Sequence, residues 1–241
     1  MTTRGFNLAY TQHDHALREN DRYARAKYHL TLRWLRSAIR EGALLYNIGV
    51  GSGYFNHLAV RAGLNVVGCE PDPAACAAAR ASGPRAGCEL VEAGLAQFAR
   101  GRAPADFIVM HDVLEHIEDD AAAVQDLRSL AKSGTRIVLS VPASPRLFGQ
   151  HELELGHFRR YTKKTLRAVL GHSFRFRRLQ YFGMASIPIV LYFSVIKRAS
   201  YPRAAAADNL LSKTYGAVCT LESYLPEPLG TALIAELEPL G

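Results

Sequence analysis

The sequence predicts an α/β fold built on an open, mostly parallel sheet with helices over both faces. Three observations carry this prediction. Short, nearly continuous apolar runs alternate with helical stretches from residue 43 to residue 142. The first of these runs ends in a cluster of glycines, Gly49, Gly51 and Gly53, as a tight strand-to-helix turn would. The chain of 241 residues is 49% hydrophobic, enough to bury the core of one such domain without metal or disulfide staples.

From Asn20 to Ile39 the apolar residues Tyr23, Leu30, Trp34, Leu35 and Ala38 recur at helical spacing, which predicts a helix within an N-terminal helical cap over 1–40. ALLYNIGV (43–50) and LNVVGCE (64–70) read as strands separated by a helix, a β-α-β unit. DPAACAAAR follows as an alanine-rich helix, CELVEA (88–93) and DFIVMHD (106–112) as strands, AAAVQDLRSLAK (121–132) as a helix and TRIVLSVP (135–142) as a strand. Beyond Pro142 the rhythm changes. The polar, aromatic and basic segment SPRLFGQHELELGHFRRYT reads as an active-site loop before a helix at Lys163–Leu170. FRFRRLQYF (174–182) and LGTALIAELEP (229–239) are the last two strands, and 183–228 between them is a helical insertion rather than a domain boundary, so a single domain over 1–241 is expected. Leu179 to Ile196 carries no charge and approaches the ~20 apolar residues that span a bilayer. Gln180, Pro188 and small polar residues interrupt it. A buried or lid helix is the expectation, with a membrane-surface or dimer contact, and lastly a span, as alternatives.

The formal net charge is +7, and Arg159, Arg160, Lys163, Lys164, Arg167, Arg175, Arg177 and Arg178 concentrate it. Such a cluster either attracts polyanions or anionic lipid, or is the solvated face of a helix. Cys69, Cys76, Cys88 and Cys219 lack zinc-site spacing and read as reduced thiols of a cytosolic protein. The polar segment MTTRGFNLAYTQHDH has no apolar stretch of the kind a secretory signal needs, so a cytoplasmic location is expected.

In YNIGVGSGYF the glycines stand immediately after a strand and before a helix, where the backbone turns tightly and can approach a ligand. A dinucleotide fingerprint has its third glycine one residue later, where this chain has Tyr54. Glu70 ends the next strand 21 residues beyond Gly49, the distance at which an acid reaches a ribose diol.

The strings NIGVGSG, GCEPD, ELVEAGLAQF, DFIVMHDVLEHIED and LGHFRRYTKKTL resemble the class I S-adenosylmethionine-dependent methyltransferases over nearly the whole chain. The resemblance implies a Rossmann-like, doubly wound, seven-stranded sheet with its last strand antiparallel and a helical lid inserted before that strand. It implies S-adenosylmethionine as cofactor, with Gly49, Gly51, Ser52 and Gly53 against its methionine and ribose parts and Glu70, followed by Pro71, on the ribose hydroxyls. Glu92, with Ala93 and Gly94, stands where the family accepts the adenine amino group, and His111 and Asp112 line the sulfonium and the methyl path. The family has an acidic residue where this chain has Asn47, which keeps an acceptor near the cofactor but loses the charge.

Methyl transfer to oxygen needs an aligned nucleophile, exclusion of water and removal of a proton. His157 or His151, in the loop after the fifth long strand where ligands of open α/β sheets bind, is the expected base. His111 and Tyr161 complete the catalytic candidates. Alternatively, GHFRRYT is a helix-start signature in which Thr162 caps and Arg159, Arg160 and Tyr161 brace the loop. Asp112, Glu115 and His116 have metal-ligand chemistry, as in similar quinone O-methyltransferases, but in metal-free relatives such a string orders the loop, and no metal is expected.

The expected function is methyl transfer to a hydroxyl, less so an amine, of a small metabolite or natural-product intermediate. Ile187, Ile189, Val190, Tyr192 and Phe193 on the lid suggest a partly hydrophobic acceptor. The alternatives are a lipid-linked acceptor at the membrane surface and a non-catalytic binding protein with the same fold. The chain lacks an N-P-P-Y-type motif after the fourth strand and an RNA-binding appendage, so no nucleic-acid partner is expected. A homodimer and a peripheral membrane contact stay open.

Overall fold

The structure is a computed structural model that describes residues 21–82, 87–199 and 209–241. The cap expected over 1–40 therefore lies partly outside the described residues. Its described helix, α1, runs Arg22–Leu35 and is capped by Asp21, whose carboxylate accepts from the N–H groups of Tyr23 and Ala24.

Seven strands follow: β1 (Leu44–Ile48), β2 (Asn65–Glu70), β3 (Cys88–Glu92), β4 (Ala105–His111), β5 (Ala131–Pro142), β6 (Phe174–Phe182) and β7 (Ala232–Pro239). They form one sheet in the order β3-β2-β1-β4-β5-β7-β6. The pairs from β3 to β5 are parallel, whereas β7 runs antiparallel to both neighbours, as the resemblance implied. The order reverses between β1 and β4, which opens a crevice at their carboxyl ends.

The helices are α2 (Tyr54–Arg61), α3 (Pro73–Ser82), α4 (Leu95–Ala99), α5 (Asp120–Ser129), α6 (Gln150–Leu155), α7 (Lys163–Leu170), α8 (Ile187–Leu191) and α9 (Leu210–Glu222). Alternate residues of each central strand feed two cores. Tyr46, Ile108, Met110, Leu139 and Leu233 pack with Phe98 of α4, Leu127 of α5 and Leu166 of α7. Leu45, Phe107, Val109, Val138 and Ile234 pack with Leu30 and Trp34 of α1 and Phe55 of α2. Each fully buried side chain of this size contributes about 1.5–3 kcal/mol of transfer free energy, so the central strands carry little polar sequence.

Three boundaries differ from the sequence reading. The helix expected over 121–132 stops at Ser129, because β5 already pairs at Ala131 with Ala105. There the hydroxyl of Thr135 accepts from Lys132 N and donates to Ala105 O, a side-chain clasp that apolar periodicity does not reveal. The expected loop after β5 contains α6, which begins where the Glu152 carboxylate accepts from Gly149 N and ends at Gly156 in a left-handed conformation. The uncharged run from Leu179 is divided by Gly183 at φ 82° into the end of β6 and the start of the insertion. Among the described residues no helix is long and apolar enough to cross a membrane.

One charge lies inside the sheet. Glu236 on β7 is fully buried and pairs with Arg136 of β5 and, at 3.3 Å, with Arg178 of β6. Removing it would strand the less exposed of the two guanidinium groups, Arg136, within the sheet. Glu236→Ala should therefore lower the free energy of unfolding by about 3 kcal/mol in urea titrations.

Candidate functional site at the carboxyl edge of the sheet

β1 ends at Ile48, and the chain reverses through Gly49, Gly51 and Gly53, all at positive φ (76°, 55° and 80°). A side chain at Gly49 would be doubly excluded, since its Cβ would lie 2.3 Å from Cγ2 of Val113 in the loop after β4. Gly49 N and Val50 N both donate to Cys69 O of β2. Glu70 closes the turn: its Oε2 accepts from Gly51 N at 2.9 Å and its Oε1 from Asp72 N at 3.2 Å. The acid expected on a ribose diol thus stands in direct contact with the glycine turn. Ser52 is buried in the same turn.

The flanks of the turn are less uniform. Ala93 is buried and its N–H donates to Glu70 O, and a Cβ on Gly94 would lie 4.0 Å from Pro71, so Pro71, Ala93 and Gly94 adjoin Glu70. Glu92 is the register partner of Glu70, and it is exposed at the rim. Asn47 is buried and donates through Nδ2 to Asn56 Oδ1 of α2 at 2.6 Å, so its amide braces strand against helix.

At the end of β4, His111 is buried between the rings of Tyr28 and Phe55, with Nε2 2.8 Å from the hydroxyl of Thr31. Burial, reinforced by the Lys27 charge, pushes its pKa down to about 3, so the imidazole is neutral. Asp112 adopts a left-handed conformation at φ 54°, uncommon for a side-chain-bearing residue. Its carboxylate accepts from Ser140 at 2.8 Å and forms an ion pair with Lys27 of α1. Burial opposes ionisation of Asp112, but Lys27 and Ser140 overcome this and hold its pKa below the usual carboxylate range. Lys27 was missed in the sequence. Its signal was position: it falls in the buried stripe of α1 with Leu30, Thr31 and Trp34, where a lysine requires an acid.

The segment after β5 supplies the opposite wall. Arg160 is buried and pairs with Glu152 through Nε at 3.1 Å and a second nitrogen at 2.9 Å, while also donating to Ala143 O. Tyr161 donates its hydroxyl to Asp120 at 3.0 Å, Arg159 pairs with the same carboxylate at 2.7 Å, and Thr162 caps α7. Burial and Asp120 raise the pKa of Tyr161 well above that of a free phenol, so its hydroxyl serves as a donor within a brace. His151 is buried on α6. Phe158 N donates to Glu115 O, which brings His157 against the loop after β4. The rings of His116 and His157 meet edge to face at 4.4 Å. Glu115 is fully buried, and neither of its carboxyl oxygens has a hydrogen-bond partner. Its pKa is therefore raised by burial and by Asp112, while burial and His116 push His157 down to about 2. Donor atoms of Glu115, His116 and His157 lie within 4.8 Å of one another, a set chemically able to take a metal ion or to share a proton. Asp112, expected beside Glu115 and His116, is not a member of this set.

The insertion crosses this wall: a Cβ on Gly149 would lie 2.8 Å from Cα of Ser194. A hollow of about 550 Å³ lined by His29, Arg33, Arg36 and Tyr224 shares no residue with the glycine turn.

A family model described as a methyltransferase domain matches residues 17–177. An uncharacterized methyltransferase of Mycobacterium leprae is 32% identical over 136 residues, which cover 56% of this chain and 50% of that protein. The chain thus spans about half the length of the curated relatives it matches. Among solved structures, a complex of the Haloferax volcanii Trm112 methyltransferase activator with a methyltransferase matches with TM-score 0.70 at 15% identity, covering 100% of this chain and 98% of that chain. The N-methyltransferase NodS of Bradyrhizobium japonicum with S-adenosyl-L-homocysteine matches with TM-score 0.60 at 14% identity, covering 91% and 88%. At these identities the likeness is one of fold.

The buried histidines make stability depend on pH. His111 folds with a pKa far below the ordinary value near 6.5, so the unfolded chain binds the extra proton, and stability present above that value is lost as pH falls toward about 3. Going from pH 7 to pH 5.5 should cost about 1 kcal/mol through His111, with His157 acting in the same direction. Urea unfolding at the two pH values checks this, and His111→Gln should flatten the dependence.

Proposed function

Because the chain belongs to the class I S-adenosylmethionine-dependent methyltransferase family, we propose that it binds S-adenosylmethionine at the Gly49–Gly53 turn and methylates a hydroxyl group. The acceptor is a small, partly hydrophobic metabolite or natural-product intermediate of the cytoplasm. The observation that carries the donor half is the contact of the Glu70 carboxylate with Gly51 N in a turn whose three glycines all need positive φ.

The residues present suit that cofactor. Glu70 offers two carboxylate oxygens to a diol, and Pro71, Ala93 and Gly94 form a small-residue shelf beside it, with Glu92 at the rim for an amino group. Lys27 and Asp112 set one charge of each sign beside the turn, matching the carboxylate and ammonium of a methionyl group. Asn47, whose Nδ2 donates to Asn56, supports the turn, and its oxygen is left as an acceptor toward the cofactor. When bound, S-adenosylmethionine supplies a methyl group on a sulfonium, open to in-line displacement.

The protein's part is alignment, dryness and proton transfer. Neutral His111 keeps a second positive charge away from the donor. The insertion, laid over Gly149, excludes water on the acceptor side. We assign the base to His157 rather than His151, because His157 adjoins Glu115 and His116, within which an acquired proton can be shared. Tyr161 holds this wall in place.

Two measurements test the reading. Calorimetry should detect S-adenosylmethionine binding, and Glu70→Ala should weaken it about 10- to 100-fold, as expected for loss of two charge-assisted hydrogen bonds. No detectable heat at millimolar cofactor would end the enzyme reading. In an acceptor screen read by S-adenosylhomocysteine release, His157→Gln should lower turnover about 100-fold or more with cofactor affinity unchanged, and His151→Gln should not.

A further inference from the structure

The helix α9 is inside out. Its buried positions are Ser212, Gly216, Cys219 and Glu222, which are small or polar. Its outer positions at helical spacing are Leu210, Leu211, Val218 and Leu221, the first two 80% and 74% exposed. Exposed Tyr224 and Leu225 continue the stripe beyond the helix end. The threonine hydroxyls of the helix are turned back into it: Thr214 and Thr220 donate to carbonyls four residues earlier, Leu210 O and Gly216 O. The helix cannot roll to bury its leucines. A Cβ on Gly216 would lie 2.5 Å from Arg22, and Ser212 accepts from Arg22 while the Ser223 oxygens accept from Arg33, so its inner face is locked on α1.

The segment from Met184 to Lys197 extends the same apolar surface. It is joined to α9 by the Ser186 and Tyr215 hydroxyls at 2.5 Å and by Ala185 N donating to Glu222. Ile189, Leu191, Tyr192 and Ile196 are all exposed, Ile196 at 69%. Among the described residues from 183 to 229, the exposed charged side chains are Lys197, Arg198 and Lys213, whereas the acids Glu222 and Glu227 point inward to backbone N–H groups of Ala185 and Met184.

We propose that α9 and the 184–197 segment dock on an anionic membrane surface. Apolar side chains enter the headgroup boundary, tyrosines sit at the interface, and Lys197 and Arg198 meet the lipid phosphates. The chemistry favours lipid over a second copy. In a two-fold interface this face would meet itself and bring its cations together, with no exposed acid among the described residues from 183 to 229 to pair them. No described helix could cross the bilayer, so the association is peripheral.

Vesicle flotation tests this without reference to methyl transfer, so its failure and failure of the enzyme reading are separable. The protein should float with phosphatidylcholine vesicles carrying about one third phosphatidylglycerol, remain at the bottom with phosphatidylcholine alone, and be released by high salt. Lys197→Gln with Arg198→Gln should lower the partition coefficient about tenfold. Leu211→Glu with Leu221→Glu, at positions already exposed, should abolish flotation while the thermal unfolding transition stays in place. Absence of flotation with anionic vesicles at low salt overturns the proposal. So does a dimer, seen by light scattering, that these leucine variants dissociate while flotation persists unchanged.

Discussion

The space that Gly49 leaves empty is taken by Val113, and much of the site depends on that exchange. β1 and β4 are neighbours in the sheet, and both must end and depart in different directions at the same edge. Only a residue without a side chain lets the two departing loops touch. The touch sets Glu70 and the glycine turn on one side of the crevice and Asp112 to His116 on the other. Because the turn accepts three positive-φ residues in five positions, α2 starts at once and returns Phe55 to the core beneath the crevice.

Charge is then distributed with economy along this edge. Lys27 and Asp112 neutralise one another, His111 beside them is uncharged, and burial opposes ionisation of Glu115. A cationic sulfonium entering beside them would meet an anion already compensated by Lys27 and a neutral His111. The wall opposite is held by the Arg160 and Glu152 pair, where two buried charges share several hydrogen bonds and position a loop rather than adding much net stability.

The central strands were legible in the sequence because β1, β4 and β7 are buried along most of their length and write themselves as apolar runs, whereas the antiparallel ending was legible only through the family resemblance. The glycine turn and Glu70 were legible because their spacing is local. What lay hidden depends on contacts between distant segments. Lys27 reads as one more solvated cation until Asp112, on another element, is seen beneath it. His157 reads as a loop histidine until Phe158 N binds Glu115 O and carries it to His116. The reading of Asn47 as a cofactor acceptor did not anticipate Asn56, whose Oδ1 accepts from the Asn47 Nδ2 across the strand-to-helix gap. The insertion read as a lid from its apolar composition, but composition does not tell which face of α9 is turned outward; Gly216 against Arg22 decides that.

Glu70 has a role before any ligand arrives. Its two oxygens already satisfy the amides of Gly51 and Asp72. A diol entering the site therefore trades one set of hydrogen bonds for another, so the enthalpy released is a difference between two satisfied arrangements. An incoming molecule with a hydroxyl missing would leave the carboxylate resting on the backbone instead of stranding it unpaired. Discrimination at this position is in consequence blunt: the fold has a fallback partner for its own acid, and the selectivity of the crevice must come from its other walls.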